Sequence, residues 1–190
     1  MTIVIRAFGK ALLNSTPAVS KNKYLHAAAN LLCLNPVMSP AIELKEGALS
    51  IEADAPFVAA VTGEARVVDD GQRAAPWSAL RASRSLEVYA DREAYVALRG
   101  LKSGVSGRLP LPPEYRLELS SSEVDGIHSR VLAALKVPPS LRVDAGDWLE
   151  AASRLQRYLE VLADVVRRGA ELVRVSLGGV EYEAWVLELR

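Results

Sequence analysis

The chain has 190 residues, half of them apolar and 24% charged, which is the composition of a folded domain with a real core and not of a disordered segment. Its 23 basic and 23 acidic residues cancel, so no global field selects DNA, RNA or an anionic membrane. The single cysteine, Cys33, excludes an internal disulfide framework and a cysteine-rich zinc site, and it fits a reducing compartment. Residues 1–10 lack the basic start, apolar run and cleavage pattern of a signal peptide. No run of about 18 apolar residues exists to cross a bilayer. A cytoplasmic protein is therefore expected, with no nucleic-acid and no membrane partner. Glutamine occurs only at Gln72 and Gln156, while Leu, Val, Ala, Arg and Glu abound, which leans towards a thermophilic source.

In chain order, Ile3 to Phe8 alternates as a strand that Gly9 should end. Residues 14–21 read as loop. A helix is expected from Asn22 to Cys33, with Asn22 as its cap and Asn35-Pro36 as its stop. Short strands should follow at regular intervals: Ile42–Leu44, a Glu46-Gly47 turn, Leu49–Ile51, a turn at Asp54–Pro56, and a fully buried strand over Phe57–Val61. Asp70-Gly71 is a hairpin signal, because glycine supplies the positive φ of a tight turn. Pro76-Trp77 interrupts the pattern, and Leu86–Ala90 and Tyr95–Leu98 close it. Strands at this spacing argue for a sandwich or barrel.

Residues 99–113 have loop composition. Tyr115–Leu119 reads as one more strand. Ser121–Leu135 reads as a helix capped by Ser122 and ended by Pro138-Pro139. The clearest helix runs from about Gly146 to Arg168. Trp148, Ala152, Leu155, Leu159, Leu162 and Val166 share one of its faces, Asp144 can cap it, and Gly169 sits where a closing glycine belongs. A hairpin over Leu172–Leu187, turning at Gly178-Gly179, ends the pattern. The expected division is a β-rich portion over 1–120 and a C-terminal portion over 121–190, packed on the same barrel.

Catalytic signatures are sparse. The two histidines, His26 and His128, have no second imidazole or cysteine at ligand spacing, so no zinc site forms. His26 reads as a structural or surface residue, since a catalytic base needs a positioned partner. Ser106 is not in a nucleophile elbow. Cys33, on the apolar helix, reads as a small buried hydrophobe.

A series of short motifs nonetheless resembles one family. Tyr24, Asn30-Leu31-Leu32 and Asn35-Pro36 are followed by Ala41-Ile42-Glu43-Leu44, Val61-Thr62-Gly63, Asp70-Gly71 and Pro76-Trp77. Their order and spacing resemble the biotin-dependent carboxyltransferase family along residues 3–110. That family includes the carboxyltransferase-like subunit of bacterial 5-oxoprolinase, allophanate hydrolase subunit 2 and the carboxyltransferase part of urea amidolyase. Gly107-Arg108-Leu109-Pro110-Leu111 is similar to the segment after the family's second loop, and residues 140–186 are similar to its C-terminal end.

The resemblance implies a mainly β (α+β) chain with a cyclophilin-like β-barrel, shortened relative to the family. It implies a small amide or carboxylate substrate and a companion cyclophilin-like subunit, or a homodimer. An active member would be an amide-ring hydrolase of the 5-oxoprolinase type or a biotin-dependent carboxyltransferase component. ATP or biotin would be met only through companion subunits, with no cofactor and no metal bound directly. Two departures stand out. The family's Gln-Asp-x-Gly-Arg loop and Val-Pro-x-Gly-Gly segment have no counterpart between Gly9 and Lys21, and Asn22 stands where the family usually has aspartate. The piece between Leu119 and Leu141 is also much shorter than in the family. Asn22 and Tyr24 are the catalytic candidates, and Lys102, Ser103 and Arg108 the substrate contacts. The alternative is a catalytically degenerate structural or regulatory subunit that keeps the barrel for partner binding.

Overall fold

The computed structural model describes residues 1–102, 104, 106–119, 127–142 and 146–188. Four long antiparallel strands form its centre: β1 (Thr2–Asn14), β2 (Ala41–Ala53), β3 (Phe57–Asp69) and, further along the chain, Ser85–Leu98. Two short strands lie between, β4 (Gln72–Ala74) and β5 (Ala79–Ala82), so Ser85–Leu98 is β6; β7 (Arg108–Pro110) and β8 (Glu114–Glu118) follow. The long strands lie in the order β3-β6-β2-β1. At one end β4 and β5 pair with the two halves of β3, and at the other β7 and β8 pair with the two halves of β1.

The chain is thus mainly antiparallel β with helices, as expected, but among the described residues the sheet does not close into a barrel. Closure needs the two outer edges of the sheet to hydrogen-bond to each other. Among the described residues β4 and β5 pair only with β3, and β7 and β8 only with β1, so the two edges stay apart.

The expected short strands are also corrected. Gly9 does not end β1, and Glu46-Gly47 is not a turn, because β1 and β2 run through both positions with Gly9 opposite Gly47. The two strands slip register there, β2 slips against β6 between Lys45 and Gly47, and β3 slips against β6 between Gly63 and Ala65. These are β-bulges, which bend a strand and increase its twist. Glycine is demanded by contact as much as by φ. A Cβ at Gly47 (φ +152°) would lie 2.3 Å from the Phe8 carbonyl oxygen, and one at Gly63 (φ +96°) 2.3 Å from that of Glu93. The bulges form one crease across the sheet. The turns at 54–56 and at Asp70-Gly71 form as expected, the latter with φ of +45° and +80°. Phe57 to Thr62 is buried on both faces.

Those two faces carry two cores. Ile3, Ile5, Ile42, Leu44, Ile51 and Leu86 pack among themselves on one side of the curved sheet. On the other, α1 (Lys23–Leu32) lies over Val58, Ala60, Tyr95 and Ala97. Small side chains at Ala27, Ala28 and Ala29, all fully buried, let the helix sit close. Asn22 caps it, its Oδ1 accepting from the Leu25 N–H at 3.0 Å. The helix stops before Asn35-Pro36, because Leu34 takes φ +58° and the Asn35 N–H closes back on the Asn30 carbonyl at 2.9 Å. Cys33 is buried, its thiol donating to the Ala97 carbonyl at 3.3 Å, and burial pushes its pKa up.

The helix expected over Ser121–Leu135 is α2 (Ser129–Ala134) among the described residues, and its expected cap Ser122 lies outside them. The long helix is α3 (Trp148–Arg167). Its expected cap, Asp144, is also outside the described residues, and Asp147 caps it by accepting from the Leu149 N–H at 2.9 Å. Ala152, Leu155, Leu159, Leu162 and Val166 are buried as the spacing requires, and Gly169 (φ +98°) closes the helix. Among the described residues, the hairpin of β9 (Glu171–Leu177) and β10 (Val180–Val186) pairs only with itself. No helix among the described residues is long and apolar enough to cross a membrane.

Candidate functional site

The densest polar grouping lies where the ends of β1 and β2 meet the start of α1. β1 delivers Asn14, β2 delivers Glu43 and Lys45 on alternate positions of one strand face, and β7 delivers Arg108. Asn14 pairs with Ala41 on one side and Arg108 on the other, so all four are brought together by register alone. A 3₁₀ turn over Pro17–Val19 then places Ser20, and the first turns of α1 place His26. Asn14, His26 and Glu43 are fully buried, and Ser20 is nearly so.

Glu43 is the anionic centre. Its Oε2 accepts from Asn14 Nδ2 at 2.7 Å, its Oε1 ion-pairs with Arg108, and Lys45 Nζ lies 3.4 Å away. Burial works to raise its pKa, but the Asn14 amide, Arg108 and Lys45 together outweigh burial and hold it below the usual glutamate value. A carboxylate needs a donor, which assigns the Asn14 nitrogen to Glu43 and leaves its buried Oδ1 without a partner.

A second chain of bonds runs from Asn14 to α1. Asn14 Nδ2 also donates to Ser20 Oγ at 2.8 Å, and Ser20 Oγ lies 2.6 Å from His26 Nδ1. His26 Nε2 is 2.7 Å from the Ser39 carbonyl. A carbonyl only accepts, so Nε2 carries the proton and Nδ1 accepts from the Ser20 hydroxyl. Burial lowers the His26 pKa to about 4, the Ser39 bond and the Glu43 charge opposing it only in part. Ser20 and His26 thus have the composition of a nucleophile and its base. Both are sealed from solvent, and the imidazole is neutral and weakly basic. The pair works as a latch between α1 and the sheet.

The remaining motif asparagines continue the latch. Asn30 donates to the Ser39 carbonyl at 2.8 Å, and Asn35 to Asn30 Oδ1 at 3.1 Å and to the Leu98 carbonyl at 2.9 Å.

Of the residues singled out in the sequence, Arg108 is in this cluster. Asn22 borders it, its N–H donating to the Tyr95 hydroxyl at 2.8 Å while its side chain caps α1. Tyr24 is buried, and its hydroxyl donates to the Leu141 carbonyl, tying α1 to the segment after α2. Lys102 is exposed on the loop after β6, and Ser103 lies outside the described residues. Asn14, Ser20, Glu43 and Lys45 were missed. One signal could have found Glu43: it is an acid inside the apolar run Ala41-Ile42-Glu43-Leu44, and a buried acid must be paired. Among the described residues, no group of three or more His, Cys, Asp or Glu side chains could hold a metal ion.

In comparisons with known proteins, no protein-family model matches the sequence, and no curated protein matches it. Solved structures do match its fold. The urea carboxylase of Kluyveromyces lactis superposes with a TM-score of 0.55 at 16% identity, over 77% of this chain and 16% of that one. The fold is shared with part of that enzyme. The urea amidolyase of K. lactis gives 0.54 at 16% identity, over 76% of this chain and 11% of that one. The chain thus spans a small fraction of either relative. The structure of TTHA0988 gives 0.46 at 18% identity, over 58% of this chain and 49% of that one.

Proposed function

We propose that this chain is a shortened carboxyltransferase-type subunit with a cyclophilin-like sheet, which serves companion subunits as a structural or regulatory partner and not as the seat of chemistry. One observation carries the reading: within the polar cluster, the groups that could do acid–base or nucleophilic work are engaged with one another. Glu43 is held by Asn14, Arg108 and Lys45, and the Ser20 hydroxyl is held between Asn14 and a buried, neutral His26. A reacting group must reach its substrate, and these do not. The fold shared with part of a urea carboxylase supports the family side of the reading. In this reading biotin or ATP is met only through companion subunits.

A second reading keeps the chain as a working subunit. Arg108 and Lys45 against one Glu43 leave a net single positive charge, and both side chains are about a third exposed. They would form a rim for the carboxylate of a small amide or carboxylate substrate.

Co-expression with the companion subunits separates the two. The scaffold reading expects co-elution, and ATP-dependent 5-oxoproline or urea turnover by the complex that stays within about twofold in Arg108→Gln, since no transition-state contact is lost. A fall of about a hundredfold or more in kcat/KM, with the variant still folded and bound, selects the second reading. Absence of co-elution removes both.

A further inference from the structure

The terminal hairpin, α2 and α3 border a cavity of about 430 Å³, a volume within the range of small-molecule sites. In the hairpin's register Leu172 is opposite Trp185 and Arg174 opposite Glu183, so these four side chains share one face. From that face Trp185 packs onto Val131 and Ala134 of α2 and onto Leu162, Ala163 and Val166 of α3. The face thus turns towards the body of the molecule. Trp185 and Glu183 line one side of the cavity and Tyr158 of α3 another, while the segment after α2 supplies Lys136, Pro138 and Arg142.

That segment is fixed in place. The Ala79 N–H donates to the Leu135 carbonyl at 2.9 Å and the Val137 N–H to the Trp77 carbonyl at 2.8 Å, which makes an isolated β-bridge between Ser78 and Lys136. Leu135 and Val137 are fully buried, and Lys136 between them points out. Pro138 and a 3₁₀ turn over Pro139–Leu141 bring the chain round to Arg142. Arg142 is held twice. Its Nε donates to the Val137 carbonyl at 3.0 Å, and its guanidinium carbon lies 5.9 Å from the centre of the Trp77 ring. Trp77 has φ +63°, a costly conformation for a bulky residue, and it is kept there by its own N–H donating to the Val61 carbonyl at 2.7 Å and by the bridge from Val137. Glu183, the one acid among the described lining residues, is ion-paired with Arg174 at 3.3 Å. Among the described residues no carboxylate pairs with Lys136 or Arg142.

Two unpaired cations therefore stand at the walls of an aromatic cavity, in a chain whose formal net charge is zero. We infer that the cavity binds a small aromatic carboxylate, its ring against Trp185 and Tyr158 and its acid group on Arg142 and Lys136. Each part of that ligand answers an observation. The aromatic and proline walls favour a flat apolar body. The cations supply charge that the cavity's only acid does not use. The Nε of Arg142 is spent on its own backbone, and the rest of its planar fork matches the plane of a carboxylate. A cavity of this size holds one ring system and its acid group, which selects a small molecule over a peptide strand. The inference rests on neither reading given above, because the cavity shares no residue with the polar cluster.

NMR titration of the full chain with naphthoate tests it. Naphthoate should bind saturably at one site and shift the Trp185 indole signal. It should also slow the exchange of hairpin amides, since the hairpin is one wall of the cavity and a ligand stabilises the state that binds it. Naphthalenemethanol, the uncharged analogue, should bind about tenfold more weakly, and naphthoate should bind Arg142→Gln about tenfold more weakly than the wild type, because a charge-assisted hydrogen bond is lost in each case. Lys136→Glu changes an exposed side chain and leaves the fold intact. It should weaken naphthoate by at least about threefold while naphthalenemethanol stays within about twofold, as expected for a partly solvated charge. If naphthalenemethanol binds as tightly as naphthoate, or if both variants bind naphthoate as the wild type does, the cations do not recognise the acid group and the proposal falls. Absence of saturable binding by both naphthoate and phenylbutyrate up to millimolar concentration overturns it as well. Should Arg142→Gln lose its fold, Lys136→Glu decides.

Discussion

His26 and Glu43 make the polar cluster sensitive to pH in the same direction through opposite chemistry. The folded protein holds His26 neutral, with a pKa of about 4 against 6.5 for the free side chain. Between those values the unfolded chain binds a proton there that the folded chain does not, so stability rises with pH across that window, by about 3 kcal/mol in all. Urea unfolding at pH 7 and pH 5 should show this slope, and His26→Gln, which has no proton to gain, should flatten it. An equal slope in the variant would remove His26 as its source. Glu43 acts lower. Its depressed pKa means that its contribution is complete above the ordinary glutamate range and is lost as pH falls through the folded value. Glu43→Gln should cost about 2 kcal/mol at pH 7, less than the roughly 3–5 kcal/mol of breaking a fully buried pair, because Arg108 and Lys45 are partly solvated. That cost should shrink as pH falls through the folded value, below the ordinary glutamate range, where the wild-type carboxylate protonates as well. Arg108 was legible as a candidate because its segment has loop composition with a cation in it. Its partners were not legible, because Asn14, Glu43 and Arg108 meet only once β1, β2 and β7 are known to be neighbours.

At the scale of elements, local and non-local information part company at Gly47. Glu46 and Gly47 both have positive φ, and within a short window that signature is the same for a turn and for a bulge. Only the pairing with β1, where Gly9 faces Gly47, shows that the strand continues, and pairing is invisible in one sequence read locally. The helices were more legible: the Asn22 cap and the α3 stripe are local, and both formed where the residues placed them. The crease gives a direct test. Gly47→Ala puts a Cβ 2.3 Å from a backbone oxygen in a conformation that alanine avoids, so the strands must separate or twist. It should destabilise by at least about 2 kcal/mol, as clashes and strained φ do. Gly71→Ala also meets a positive φ, but nothing lies within 4 Å of the added carbon. Its cost should stay near the left-handed penalty of about 1–2 kcal/mol. The shift in urea midpoint at constant m-value measures both, and equal shifts would mean that the close approach at Gly47 is relaxed without strain.

Taken whole, the molecule distributes its stability unevenly. The long strands are buried on two faces along one half, through Ala41–Leu44, Phe57–Thr62 and Ala94–Leu98, by the self-packed core on one side and by α1 with α3 behind it on the other. The hairpin has neither cover. A two-stranded ribbon is marginal in water by itself, so what holds β9 and β10 in place is the Gly178-Gly179 turn and the half-buried Trp185 against α2 and α3. The two regions should therefore open separately. Native-state hydrogen exchange should show β6 amides exchanging only through global unfolding. Hairpin amides should exchange orders of magnitude faster, through an opening that denaturant hardly accelerates. Trp185→Ala removes the anchor, so hairpin protection should vanish while β6 rates move by less than the equivalent of about 1 kcal/mol, because no side chain of the sheet's own cores is touched. If hairpin and β6 amides instead exchange at one common rate in the wild type, the hairpin is an integral part of the cooperative unit. Its place would then rest on packing that extends well beyond Trp185.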